Sequence, residues 1–374
     1  MGPDLPEFSP GGSTSWSNNV PDPLMSTDEI PQFTFDLEKS KGKQDGEGSY
    51  GKEVTVAELP ISKGIAGVSM RLEPGVMREL HWHATAAEWG FVLSGRVRTT
   101  IVDPHGNQGT DDFAPGDCWF FPRGHPHVLE ALGDEPCHFL LIFDNGYFTE
   151  YGTFSISDWM AQLPRDILAR SLRVPESALK SLPKGEIYFG YGEHPPEPAA
   201  SPHGGIRPSA LPHRYQLLAQ EPELVCPGGR EWKVDSSQFP IQQTMTGVYF
   251  EIDPGGMREL HWHPNADEWQ YIVEGEVRVT LFGAKGRYRQ ETIKRGQVAY
   301  IPQGYGHSIE NVGKRMAKMV IGLNAGVFQK IDMSQFIAAQ PDDVLRTNLT
   351  LPQKSVDKLP KGDFFFTDGS TSRQ

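Results

Sequence analysis

Basic residues are in deficit. The chain has 35 Lys and Arg against 48 Asp and Glu, a formal net charge of −13 over 374 residues. Charge of that sign argues against a nucleic-acid or anionic-membrane surface, although a buried local cation can still hold a small anionic substrate. Cysteine is scarce as well. Cys118, Cys137 and Cys226 are too few, and odd in number, for a disulfide framework; they read as small buried or part-buried thiols. No apolar run is long enough to cross a bilayer, so no membrane partner is expected. Residues 1–30 are rich in Pro, Gly, Ser and Asp and have no apolar centre, so no signal peptide is expected. The sequence as given fits a cytoplasmic protein, and it fits a secreted or periplasmic one if it is a mature form.

Long helical patterns are few, while Gly (40) and Pro (31) are plentiful. Together they predict an all-β architecture rich in turns. At 37% hydrophobic and 22% charged residues the chain can build real cores, and its length suits two domains.

What is present most conspicuously is a repeat. Residues 77–83 read MRELHWH, and so do residues 257–263, with Met257 lying 180 positions after Met77. Around the first copy, short apolar or alternating runs at 66–72, 89–93, 97–102, 119–122 and 138–143 are broken by turns, a pattern that predicts a small β-barrel or sandwich. Residues 31–37 read as an additional strand, and 39–51 as a polar loop. After the barrel pattern, residues 157–163 predict a helix capped by Ser157 or Asp158. Residues 165–172 continue with helical spacing, and Pro175 opens a further short helix. Residues 192–212 form a Pro-rich linker. The second copy follows the same plan. Gly95, Gly116 and Pro122 return as Gly275, Gly296 and Pro302 at the 180 offset, but Trp159 returns as Phe336 at 177. The second copy is therefore three residues shorter within the stretch matching 149–158. Expected boundaries are an arm at 1–44, a first unit at 45–215 and a second at 216–374.

His81 and His83 are two apart, so in a strand both imidazoles face the same side. Glu88 lies five further on and can return to them after a tight bend. His127 is the best fourth partner because it alone of the later histidines in the unit is repeated. The second set is His261, His263, Glu268 and His307. His125 and His138 face Tyr305 and Lys318 in the other copy, which argues for structural or surface roles. Three imidazoles and a carboxylate with two open positions suit an octahedral first-row ion, Mn or Fe before Zn. Ligand type does not separate Mn from Fe.

The spacing of Gly75, His81, His83, Glu88 and Gly95, followed by Pro122 and His127, resembles the two-part cupin motif. The doubled RELHWH, the second-copy HWHPNADEWQY and the helical tails resemble the bicupin oxalate decarboxylases over roughly residues 50–370. That resemblance implies two jelly-roll (cupin) β-barrels with short helical segments after each, an N-terminal arm packing on the second barrel, and trimers or hexamers of identical chains. It also implies two Mn per chain, with dioxygen as co-catalyst for one-electron oxidation of bound oxalate.

Arg78 and Arg258 stand three before the first ligand histidine of each copy. Strand alternation points them away from the metal unless a bend redirects them. One reading is a surface charge beside Glu79 or Glu259. The other, which the resemblance implies, is a guanidinium gripping the substrate carboxylate. Residues 144–154 resemble the family's mobile lid, whose Ser-Glu-Asn core appears here as Thr149-Glu150-Tyr151. By the same resemblance Glu150 is the acid that protonates the one-carbon fragment. Lys330 stands at this point in the second copy, so a carboxylate is expected over one centre only. The expected activity is oxalate decarboxylation to formate and carbon dioxide at the first centre. The alternatives are an oxalate oxidase making peroxide, another cupin dioxygenase, and a non-enzymatic metal-storage bicupin.

Overall fold

The computed structural model describes residues 29–44, 48–197 and 207–369. The arm at 1–28 and the linker centre at 198–206 lie outside the described residues. Strands dominate, and they form four antiparallel sheets, two to each copy. In the first copy a six-stranded sheet contains Val76–Trp82, His127–Leu132 and Arg96–Val102 side by side, and a seven-stranded sheet contains Asp117–Phe121, Glu88–Ser94, Cys137–Phe143 and Ala66–Leu72. The second copy repeats both sheets. The core is packed between them, as alternation of buried apolar residues requires. Two barrels in an all-β chain were the expectation, and the fold has both.

The barrels exchange strands. Thr34–Asp36, ahead of the first barrel, pairs with Gln297–Ile301 of the second, and Arg214–Gln216, ahead of the second, pairs with Asp117–Phe121 of the first. A boundary at 215/216 therefore cuts a strand that belongs in space to the first barrel. Reciprocal tryptophans close the seam. Trp89 lies against Gly247 and Trp269 against Gly67, so close that a Cβ on either glycine would strike the indole. Both tryptophans are fully buried.

Local details depart from the sequence expectations. Residues 43–44 are not loop but a strand, Lys43–Gln44, paired with Tyr50 and Gly51. The helix after the first barrel is Ile156–Gln162, and its cap is Ser155, whose hydroxyl accepts from the Asp158 amide. The cap sits two residues earlier than Ser157 because Ser157 is used otherwise. Its amide and hydroxyl both donate to Glu79 Oε2, at 3.3 and 2.5 Å, tying the helical tail to the barrel. Ser334 and Glu259 repeat this tie in the second copy.

Candidate metal centres

Each set of four residues converges. In both copies, ligand atoms of the three histidines and the glutamate lie within 4.8 Å of one another, and all eight residues are buried. Topology explains the convergence. His81 is the penultimate residue of Val76–Trp82 and sits directly across from His127, the first residue of His127–Leu132. Glu88 opens the next strand, in the facing sheet, and points across the barrel at them.

Each imidazole is oriented by a bond to its Nδ1. In the first centre the acceptors are the Glu79 carbonyl for His81 (2.5 Å), the Thr153 hydroxyl for His83 (3.2 Å) and the His125 carbonyl for His127 (2.9 Å). In the second they are the carbonyls of Glu259, Gln329 and Tyr305, at 2.7, 2.7 and 3.0 Å. An Nδ1–H donated outward leaves Nε2 as a lone pair facing the centre, the tautomer a metal needs. Burial pushes His81 and His261 well below the ordinary imidazole range, aided by the neighbouring Arg78 or Arg258 cation. For Glu88 burial acts upward, but the neighbouring His127 and His83 imidazoles outweigh it and hold the carboxyl well below the usual carboxylate range.

The donor set fits a divalent ion. The decisive atom is His127 Nε2, which is buried, aimed at the cluster and without a hydrogen-bond partner among the described residues. The outer partner of the glutamate differs between copies. Glu88 Oε1 accepts from Trp119 Nε1 at 2.8 Å, whereas Glu268 Oε1 accepts from Gln270 at 2.6 Å. The exchange is compensated in volume. Gly90, which makes room for the Trp119 indole, corresponds to Gln270, and Trp119 itself to Ala299.

Arg78 and Arg258 are buried in the same pockets, not paired at the surface with Glu79 and Glu259. Alternation alone sends them outward. A β-bulge within each strand resets the pleat: between Arg78 and His81 the pairing with His127–Leu132 slips by one residue, and the slip recurs between Arg258 and His261. Arg78 lies over the Tyr188 ring (4.0 Å), with Nη1 on the Tyr188 carbonyl and Nη2 on Glu150 Oε2, both at 3.4 Å. Its Nε has no partner.

Glu150 is 2% exposed and stands on the 3₁₀ turn Glu150–Gly152. The turn is held down. Glu53 accepts from the Glu150 amide (2.8 Å) and from the Thr149 hydroxyl (3.3 Å), and Lys43 donates to the Glu150 carbonyl (3.3 Å) while covering the rings of Tyr151 and Tyr188. Tyr151 itself is 77% exposed.

The second centre corrects one expectation. In the paired-strand register Lys330 answers to Thr153 and not to Glu150, and a carboxylate is present nonetheless. Asp332 Oδ1 accepts from Arg258 Nη2 at 2.5 Å, and Lys330 holds its other oxygen. At the 177 offset of the helical tail Asp332 faces Ser155, a position where the copies differ. His213, just past the linker, is buried and bonded to the Thr99 hydroxyl (2.7 Å). Burial lowers its pKa to about 4.

Comparison with known proteins meets this geometry. The Cupin family matches residues 36–179 and again 215–357. Oxalate decarboxylase OxdC of Bacillus subtilis (strain 168) is 38% identical over 318 residues, 84% of this chain and 81% of that protein. The chain is a bicupin of the oxalate decarboxylase family. Elsewhere in that family, a probable oxalate decarboxylase of Arthroderma benhamiae shares 30% identity with this bicupin over 88% of the chain and 81% of the relative. A solved structure concerned with the Mn(II) centres of Bacillus subtilis oxalate decarboxylase superposes with a TM-score of 0.84. It is 34% identical and covers 91% of this bicupin and 90% of that chain. Among the described residues, no helix of the bicupin is long and apolar enough to cross a membrane.

Proposed function

We propose that this bicupin is a Mn-dependent oxalate decarboxylase whose chemistry runs at the first centre. The observation that carries the reading is a buried Arg78 and a buried carboxylic acid, Glu150, facing each other in the pocket of a three-histidine, one-glutamate set. Family membership supports the substrate class, and the Mn(II) centres of the Bacillus subtilis relative support the metal. Two ions per chain would be held, one by His81, His83, Glu88 and His127 and one by His261, His263, Glu268 and His307. When bound at the first centre, such an ion together with dioxygen supplies reversible one-electron oxidation of the substrate.

The rest falls to side chains. Arg78 holds a carboxylate of oxalate through the N–H groups of its guanidinium edge, of which Nε is unengaged. Loss of carbon dioxide breaks the carbon–carbon bond and leaves a one-carbon fragment that takes a proton on carbon. Glu150 delivers that proton. For the oxalate monoanion the balance closes: its own proton, passed through Glu150, ends on formate. The stacked rings of Phe143 and Phe148, 3.5 Å apart beside His83, help exclude water from the step. Self-association into a homo-trimer or homo-hexamer belongs to the same proposal, supported by aromatic residues left half exposed beside both barrels.

A product assay on metal-analysed protein tests the reading, counting formate, peroxide and oxalate and separating Mn from Fe. Glu150→Gln is expected to retain its metal and lose formate production by roughly 10²–10⁴-fold, the span of a general acid. Full formate yield from that variant would sink the assignment of Glu150. Peroxide without formate from the unmodified protein would make it an oxidase, and no oxalate consumption at mildly acidic pH in air would leave metal storage.

A further inference from the structure

The two arginines meet different carboxylates, and the difference is built into the backbone. Glu150 reaches Arg78 from a single 3₁₀ turn in a loop, at 3.4 Å. Asp332 reaches Arg258 at 2.5 Å from the strand Ile331–Asp332, in which it is the direct partner of the ligand His261. Asp332 is also the residue that precedes the helix Met333–Ala338, and it is wholly buried. Strand pairing fixes its backbone beside the metal centre, and the short side chain has little reach of its own. At the first centre the corresponding residue is Ser155, paired with His81 in the same register and carrying no charge. The loop of the second copy, three residues shorter, has only Gln329 between Phe328 and Lys330 and so no acid to match Glu150, and Lys330 reinforces Asp332 by holding its second oxygen.

The guanidinium of Arg258 is thereby committed. Nη2 donates to Asp332, Nη1 donates to the Phe365 carbonyl at 3.0 Å, and the Phe365 ring lies 3.7 Å beneath. Among the described residues, Arg258 Nε has no partner. A bidentate grip on a carboxylate needs two adjacent N–H groups. We propose that Asp332 is a fixed internal carboxylate that occupies Arg258 in place of substrate and closes the second centre to oxalate. Asp332 is then a specificity-determining residue: it restricts substrate binding to the first centre while both centres keep their metal ligands. The cavity of about 760 Å³ beside Lys330 does not reverse this, because both lysines in its lining are already paired, Lys233 with Glu223 and Lys330 with Asp332 and Asp363.

The proposal rests on the oxalate reading above, and the test separates the two. Oxalate is titrated calorimetrically into Mn-loaded protein under argon, which prevents turnover, with metal content measured alongside. One oxalate per chain is expected for the unmodified protein, none for Arg78→Ala, and two for Asp332→Ser, which installs the residue of the first copy, at unchanged metal content. Two per chain in the unmodified protein overturns the proposal and leaves oxalate as substrate. So does one per chain retained by Arg78→Ala, or one per chain in a folded, metal-loaded Asp332→Ser. No binding by the unmodified protein overturns the oxalate reading and this proposal with it. Should Asp332→Ser fail to fold, the first two measurements decide.

Discussion

Glu231 replaces Gly51 of the first copy, and the exchange is matched across the pocket, where Phe365 replaces Tyr188. In the first copy the Tyr188 hydroxyl fills the space beside Gly51; in the second a carboxyl group sits at the equivalent position. Glu231 is 4% exposed, and its Oε1 has no partner. Burial raises its pKa to about 7, against the opposing pull of Arg258 and Lys233. The folded protein therefore keeps a proton that the unfolded chain gives up above about 4.5. Stability from this group is full below that pH, falls as pH rises towards 7 and levels off beyond. The span is on the order of 3 kcal/mol at most. Glu231→Gln is expected to flatten the profile and to be more stable than the parent at pH 8. Urea midpoints across pH 4–8 check it, and parallel profiles for the two proteins would refute it. The two four-residue clusters were legible in the sequence because the repeat sorted their members from the other histidines. Asp332 and Glu231 were not, because each is a position where the copies differ, and a repeat is informative only where it is kept.

At the scale of elements, the turn that carries Glu150 is the part whose behaviour matters most. Its hydrogen bonds come from the far edge of the seven-stranded sheet: Glu53, on Tyr50–Val54, accepts from the Glu150 amide, and Lys43, on the short strand Lys43–Gln44, donates to the Glu150 carbonyl and pairs with Glu186 at 3.1 Å. Lys43→Ala removes a charge-assisted bond and a cation–ring contact, together worth roughly 1–2 kcal/mol. Amide exchange at Glu150 is expected to quicken by about tenfold, the conversion of 1.4 kcal/mol, with metal content unchanged. Exchange at the parent rate would show that Lys43 does not hold the turn. Hydrophobic alternation foretold the barrel strands, and the family resemblance singled out the loop. Neither could foretell this latch. It joins residues more than a hundred positions apart, from a segment whose polar composition reads as loop. The bulge that turns Arg78 inward was hidden for a related reason. It is a one-residue slip between paired strands, and only pairing makes it visible.

The whole molecule has an approximate two-fold relation between its barrels, yet its outer surfaces are not equivalent. Beside the first barrel, Trp82 stacks on Phe154 at 5.4 Å and meets Trp159 edge-on at 5.6 Å, with Phe154 and Trp159 each about half exposed. Beside the second, Trp262 meets Phe336 at 5.9 Å, and Met333 is 42% exposed. Each patch is larger in aromatic content than a solvated helix face needs. Two related but non-identical patches on one chain favour a heterologous contact, the first-barrel patch of one chain against the second-barrel patch of the next. Contacts of that kind close into a ring when the rotation allows, and a trimer is the smallest ring in which every patch is covered without a two-fold axis. Pairing of two such rings gives a hexamer. Light scattering on the eluting protein is expected to report three or six chains. Trp159→Glu, which puts a charge into one patch and leaves both metal sets untouched, is expected to yield monomers with the parent metal content. A monomeric parent, or a Trp159→Glu protein that still elutes as a trimer or hexamer, would place the interface elsewhere.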